Sequence, residues 1–315
     1  MKGKVCVFGS FNLDVMAKMS RFPQPGESLV ANSSMMGPGG KGANQASAAL
    51  RAGARVHYIG KVGNDEFGAF ARRHLDKTGF DAVTLFTCKK EPTGNAMIYV
   101  AGDNAENMIS VYPGANFTVT TAEVNRCKPT VESADVLLVQ LENNLSAIEQ
   151  MIAIARASNT QVIVNPAPWQ AVSDEFLSKV DLLTPNSTEA SQLTDVAVTD
   201  LSDAQHAAAV LHKKGVKALI ITLGMQGALL STEHGMYKIP VYPANPLDTT
   251  GAGDAFNGAI AARIAAGESI EKAALFASAY ASVCVEHTGA AESMPHYSEA
   301  LDRMKAYPEL MIEKL

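Results

Sequence analysis

Four short apolar runs set the terms for this chain: Val5-Cys6-Val7-Phe8, Val136-Leu137-Leu138-Val139, Val162-Ile163-Val164 and Ala218-Leu219-Ile220-Ile221. Each is continuous and rich in β-branched residues, the pattern of a strand buried on both faces of a parallel sheet. Helix-like stretches lie between them. Asn44 to Arg51 is Ala-rich and ends at Gly53, and Asp65 to Thr78 sets Phe67, Phe70, Ala71 and Leu75 on roughly one face, with Gly79 after it. Ser146 to Ala157 and Ser202 to Lys214 repeat the pattern, the second stopped by Gly215. A glycine just past a helix end is the usual left-handed cap. Strands alternating with helices of this length predict a doubly wound α/β fold, its mostly parallel sheet flanked by helices.

Two segments break that rhythm. Leu13 to Lys18 and Ser28 to Ala31 are joined through Pro23-Gln24-Pro25-Gly26, and Asn95 to Val100 and Met108 to Tyr112 through Gly102-Asp103-Asn104. Both read as antiparallel hairpins. Hairpins without crossover helices do not fit inside a parallel sheet. They predict a small β-sheet lid formed by insertions at 12–37 and 93–116, over a core domain of residues 1–11, 38–92 and 117–315.

Composition narrows the function. With 26 Lys+Arg against 32 Asp+Glu, the net charge of -6 gives no global pull towards nucleic acid or anionic membrane. No apolar run approaches the ~18 residues of a membrane span. The four cysteines, Cys6, Cys88, Cys127 and Cys284, are scattered and make neither a disulfide framework nor a zinc site. The N-terminus lacks the long apolar stretch of a signal peptide. The expectation is a cytoplasmic protein with small-molecule partners.

The strongest chemical feature is Asp248-Thr249-Thr250-Gly251-Ala252-Gly253-Asp254, followed by an Ala-rich helical stretch to about Ala266. Small residues let several N–H groups point into one concavity, and a helix N-terminus adds partial positive charge. A carboxylate inside such an anion hole suits a general base, taking a proton from a hydroxyl while the hole steadies a transferring phosphoryl. The same Asp also suits a helix cap. Gly37-Pro38-Gly39-Gly40-Lys41-Gly42-Ala43-Asn44-Gln45-Ala46 offers close backbone approach and polar groups at a helix opening, without P-loop or dinucleotide spacing. Asn186 and Glu189 share one face of a helix start and suit a hydrated Mg²⁺ with its phosphate, or a capping box. Thr222-Leu223-Gly224-Met225-Gln226-Gly227 ends a buried strand, where α/β sheets bind ligands.

With these four motifs in order, the chain resembles the ribokinase-like (PfkB) family of carbohydrate kinases, from Val5 to about Pro295. The resemblance implies an ATP-dependent kinase acting on the primary 5-hydroxyl of a pentose, D-ribose before others. It implies Asp254 as general base, and the backbone of Gly251, Ala252 and Gly253 as the anion hole. Asn12, Asp14, Gly39, Gly40, Lys41, Asn44, Glu142 and Asp254 match sugar-holding positions. Asn186, Thr222, Gly224, Gly227 and Gly253 match the ATP site, with Glu189 reaching Mg²⁺ through water. Asp248, Thr250, Cys284, His287, Gly289 and Ser293 match a site for an activating monovalent cation such as K⁺. A homodimer through the lid is the expected assembly. The chain departs from the family at Pro38, Ser278, Tyr280 and Glu286-His287-Thr288.

The alternatives are a same-family kinase for 2-deoxyribose, another pentose, a ketose or a nucleoside, and a non-catalytic sugar sensor. A nicotinamide enzyme would need a glycine fingerprint after the first strand, where Gly9-Ser10-Phe11-Asn12 offers one Gly. Met35, Met36 and Met108 are expected to pack in hydrophobic contacts rather than line a sugar or dimer surface, and His206 and His212 to face solvent.

Overall fold

The computed structural model describes residues 3–102 and 106–315. Its strands are β1 (Lys4–Phe8), β2 (Asn12–Met19), β3 (Ser33–Gly39), β4 (Arg55–Gly63), β5 (Ala82–Cys88), β6 (Gly94–Ala101), β7 (Glu106–Tyr112), β8 (Val136–Gln140), β9 (Gln161–Asn165), β10 (Leu182–Leu183), β11 (Leu219–Thr222), β12 (Ala228–Thr232), β13 (Gly235–Ile239) and β14 (Glu313–Lys314). The helices are α1 (Lys41–Arg51), α2 (Glu66–Thr78), α3 (Thr121–Glu132), α4 (Leu145–Ala157), α5 (Asp174–Ser178), α6 (Ser187–Thr194), α7 (Leu201–Lys213), α8 (Ala252–Ala265), α9 (Ile270–Cys284) and α10 (Tyr297–Ala306).

The main sheet runs β14-β13-β12-β11-β10-β9-β8-β1-β4-β5. From β5 to β11 every pairing is parallel, and β12, β13 and β14 add an antiparallel edge. The expected doubly wound α/β fold is therefore present. Alternation along the buried strands divides the core. Val5, Val7 and Leu138 pack with Ala46 of α1, Ile260 of α8 and Ala277 of α9. Cys6, Phe8, Leu137 and Val139 pack on the other face with Ile148 of α4 and Leu211 of α7. A strand covered on both sides needs apolar residues at every position, which is why these runs do not alternate in sequence.

The second sheet has the order β3-β2-β6-β7. It consists of two antiparallel hairpins joined by the parallel pair β2–β6. The second strand of the first hairpin lies later than expected. Ser28 to Ala31 form no ladder, and Val30 is 88% exposed. Pairing begins at Ser33 and brings Gly39 opposite Asn12. The apolar Leu29-Val30-Ala31 run misled because β3 is an edge strand, so its Ser, Gly and Pro38 are tolerated there. Of the expected turn Gly102-Asp103-Asn104, only Gly102 falls among the described residues.

Two further expectations are corrected. Met35, Met36 and Met108 are not packed inside: each is more than half exposed, on the small sheet. His212 is half-buried, its ring bonded to the Val216 carbonyl at 2.7 Å and the Ser231 hydroxyl at 2.8 Å. Helix α1 also begins at Lys41, three residues before the expected start, because Gly40 at φ 91° takes the cap position. No helix among the described residues is long and apolar enough to cross a membrane.

Candidate active site

The motifs converge at the carboxyl ends of β1, β8, β9, β10 and β11. There the N-termini of α1 and α8 lie side by side. Their seat depends on Gly258, where a Cβ would stand 2.4 Å from both the Gln45 carbonyl oxygen and the Ala48 side chain. This close approach puts Asn44 and Gln45 of α1 within bonding distance of Asp254 of α8. Asn44 Nδ2 donates to Asp254 Oδ2 at 3.0 Å, and Gln45 Nε2 donates to Asp254 Oδ1 at 2.9 Å. Asp254 is buried in the first turn of α8, which follows the left-handed Gly251. Beside it Gly253 is exposed, with nothing within 4 Å of where a Cβ would stand. A helix N-terminus open to solvent can take an anion, and a carboxylate beside it can take a proton.

Lys41 is the cation of this cleft. Asp254 raises its pKa, burial pulls the other way, and Glu142 and Glu189 reinforce Asp254. Burial pushes the Glu142 carboxyl up, opposed by Lys41, by the Ser10 hydroxyl donating to Oε2, and by the Lys41 amide at 2.9 Å. Asp14 is pushed up to about 7, by burial first and then by Glu142 and Asp254. Its carboxylate lies over Gly39, where a Cβ would come within 2.1 Å of it.

Asn12 faces a cavity of about 140 Å³, lined also by Val111, Pro113, Asn116, Phe117 and Glu142. Asn44 Oδ1 is buried with no partner. An orphaned acceptor of this kind is costly unless a ligand supplies a donor, as a hydroxyl can. The arrangement thus gathers Asn12, Asp14, Gly39, Gly40, Lys41, Asn44, Glu142 and Asp254 around one cleft.

Asn186 and Glu189 form a full capping box, Glu189 Oε2 accepting from the Asn186 amide at 2.9 Å and Asn186 Oδ1 from the Glu189 amide at 2.8 Å. Asn186 bridges to Thr222, and Gly227 closes the next turn with a 2.8 Å bond from Leu223. The capping reading therefore holds, and it leaves Glu189 Oε1 outside the box. Burial first pushes the Glu189 carboxyl up and Asp254 adds to this, opposed by the Asn186 amide and by Lys41. Among the described residues no three acidic, His or Cys side chains form a metal cage.

The Asp248 carboxylate ties two loops. Oδ1 accepts from the Thr250 amide and Oδ2 from the Gly289 amide, both at 2.9 Å. Burial pushes its pKa up, but these donors outweigh burial and hold it below the usual carboxylate range. Cys284 Sγ lies 3.2 Å from Ser293 Oγ, and the His287 amide donates to the Cys284 carbonyl at 3.1 Å. Carbonyl, hydroxyl and carboxylate oxygens are the donor set a weakly hydrated cation takes.

Several residues of the site were not singled out from sequence. Ser10, Gln45, Asn116, Gln140 and Asn165 are buried polar side chains around the cleft. Ser10 and Gln45 sit within two of the glycine-bearing stretches, whereas Gln140 and Asn165 end buried strands with no glycine beside them. Of the departures from the family pattern, Tyr280 bonds the Ala48 and Pro295 carbonyls at 3.2 and 2.6 Å and so pins α9 to α1. Ser278 donates to the Pro240 carbonyl at 2.5 Å.

The model of the pfkB family of carbohydrate kinases matches residues 2–297. The ribokinase of Haemophilus influenzae is 38% identical over 302 residues, which is 96% of this chain and 98% of that protein. The deoxyribokinase of Salmonella typhi is 32% identical, covering 92% and 95%. The solved structure of Arabidopsis thaliana ribokinase, complexed with ribose and ATP, superposes with a TM-score of 0.86 at 30% identity, covering 97% and 99%.

Proposed function

The chain belongs to the PfkB family of carbohydrate kinases and is a phosphotransferase with an alcohol acceptor; on that footing we propose that it transfers the γ-phosphoryl of ATP to the 5-hydroxyl of D-ribose. The observation that carries the reading is Asp254, buried in the first turn of α8 and held by amides on both oxygens beside the exposed Gly253.

The sugar lies against Asn12, Asp14, Lys41, Asn44 and Glu142. Asp254 takes the proton of the primary hydroxyl, and that oxygen attacks the γ-phosphorus in line. The amides of Gly251, Ala252 and Gly253, with the Lys41 ammonium, face the negative charge of the transferring group. Asn186 and Glu189 would hold a hydrated Mg²⁺, which would neutralise phosphate charge. Asp248, Thr250, Cys284, His287, Gly289 and Ser293 would hold a monovalent cation, which would stiffen the Gly251 turn. Residues 12–37 and 93–116 act as a lid that keeps water from the phosphoryl group. A second copy of the chain covers the lid's exposed Met36, Met97, Met108 and Ile109.

The test is ADP release with ATP, Mg²⁺ and K⁺ across a panel of sugars. Turnover should depend on sugar and be greatest with ribose; absence of sugar-dependent turnover sinks the kinase reading. The 32% identity to a deoxyribokinase favours 2-deoxyribose as the second acceptor to try. If the site bonds the 2-hydroxyl, kcat/KM for the deoxy sugar should be lower by about 10²-fold or more.

A further inference from the structure

We propose that Gln45 is the positioning residue for Asp254, and that Gln140 fixes the sense of the Gln45 amide. This rests on the reading of Asp254 as the base. Gln45 is wholly buried on α1, whereas the other amide on Asp254, Asn44, is itself a sugar-cleft residue. Gln45 Nε2 donates to Asp254 Oδ1 at 2.9 Å and to Asn165 Oδ1 at 3.0 Å, while its Oε1 accepts from Gln140 Nε2 at 2.6 Å. Those three bonds admit one amide orientation. Turned over, Oε1 would face two acceptor oxygens and Nε2 would face a donor.

The arrangement of Gln140 supports an orienting role. Its donor is spent on Gln45, and its own Oε1 is left buried without a partner. Buried acceptors are rarely left so, and this one lies behind the carboxylate that Gln45 holds. A carboxylate swings about two side-chain torsions, and one amide on each oxygen restrains both.

The chain of bonds runs further. Asn165 Nδ2 donates to the Thr184 carbonyl at 3.0 Å, Thr184 Oγ1 donates to Asn257 Oδ1 at 2.5 Å, and Asn257 Nδ2 donates to the Gly253 carbonyl at 2.8 Å. One buried run of neutral groups thus links the base to the peptide of the anion hole. Lys41, Asp14, Glu142, Glu189 and the Cys284 thiol each feel the Asp254 carboxylate. Gln45 carries no charge, and its effect is on placement.

The test uses steady-state kinetics of the full chain. Gln45→Met keeps the shape and removes the donor; kcat should fall about 10- to 100-fold, with KM for sugar and ATP within about twofold. Added to Asp254→Asn, it should lower kcat by less than about twofold, because the group it places is gone. Unchanged kcat in Gln45→Met, or an equal loss in both backgrounds, overturns the positioning role. Normal turnover in Asp254→Asn alone overturns the base reading instead, so the two failures are distinguishable. If Gln45→Met gives no cooperative melt, Gln45→Glu decides. It keeps an acceptor for Gln140 and turns a second oxygen on Asp254, so it should lose kcat further; unchanged kcat there overturns the proposal.

Discussion

Asn116 Nδ2 donates to Asn12 Oδ1 at 2.9 Å and to the Phe11 carbonyl at 3.0 Å, while its own Oδ1 accepts from the Phe11 amide at 3.2 Å. Asn116 therefore has one orientation, and so has Asn12, whose Nδ2 is left to meet a ligand. Asn116→Ala frees Asn12 to turn its oxygen to the sugar. KM for the sugar should rise about 10-fold, equivalent to ~1.4 kcal/mol, with kcat little changed. Steady-state kinetics with the variant's melt as control checks this, and an unmoved KM refutes it.

Asp14 makes sugar capture depend on pH. Its carboxyl is pushed up to about 7, by burial and then by Glu142 and Asp254. Hydroxyl donors bond its ionised form, so binding is full above that value and weakens as protonation sets in below it. On this basis kcat/KM for the sugar should fall about tenfold per unit below about pH 7. The limb should vanish in Asp14→Asn; if the profile of that variant keeps it, another group is responsible.

The pair Lys61–Glu123 is a stability element away from the cleft. The ammonium lies 2.8 Å from the carboxylate and 2.7 Å from the Thr118 carbonyl, with both side chains largely buried. Lys61→Met leaves the carboxylate unpaired and should cost about 3 kcal/mol in urea unfolding. Burial pushes the Glu123 carboxyl up, but Lys61 and Thr120 outweigh it and hold it below its usual value. A depressed folded pKa gives stability that is full above the unfolded value, ~4.3, and is lost as pH falls through the folded one. The gap between wild type and variant should close in acid, and a gap constant down to pH 3 contradicts the ion pair.

Asp248 couples the Thr250–Gly251 turn to the loop at Gly289. Turnover should rise when K⁺ replaces a bulky organic cation. Asp248→Ala should abolish that response and lower kcat on the order of 10²-fold, the scale of losing an oriented donor to the transferring group. A variant still stimulated by K⁺ would place the cation elsewhere.

The exposed apolar residues of the small sheet predict assembly. Met36→Asp on β3 with Ile109→Asp on β7 should shift sedimentation from a dimer to a monomer. If wild type sediments as a monomer at micromolar concentration, the lid-to-lid arrangement is wrong.

The fold was legible where burial had written it. Val136 to Val139 and Val162 to Val164 could only be two-sided strands, and Gly79 and Gly215 closed their helices as read. Strand β3 was not legible, because an edge strand takes its place from the neighbour it pairs with rather than from its own Ser-Ser-Met-Met-Gly-Pro-Gly. The charged and glycine positions of the cleft were also readable, since Asp254, Lys41 and Gly40 are costly choices without a ligand. Gln45, Gln140 and Asn165 were not. A buried amide announces itself only through partners brought from far along the chain, 120 residues away for Gln45 and Asn165.

The seat of α8 against α1 at Gly258 has a consequence for how such a chain diverges. The groups assigned to phosphoryl transfer ride on two helices locked backbone to backbone. Asn12 and Asp14 ride on β2, and Val111, which lines the cavity that Asn12 faces, on β7. Substitutions in these strands alter which alcohol is presented without shifting the base against the anion hole. A protein built this way can change its acceptor one strand residue at a time while its transfer centre stays fixed, and it tolerates almost no change in the helix–helix contact beneath.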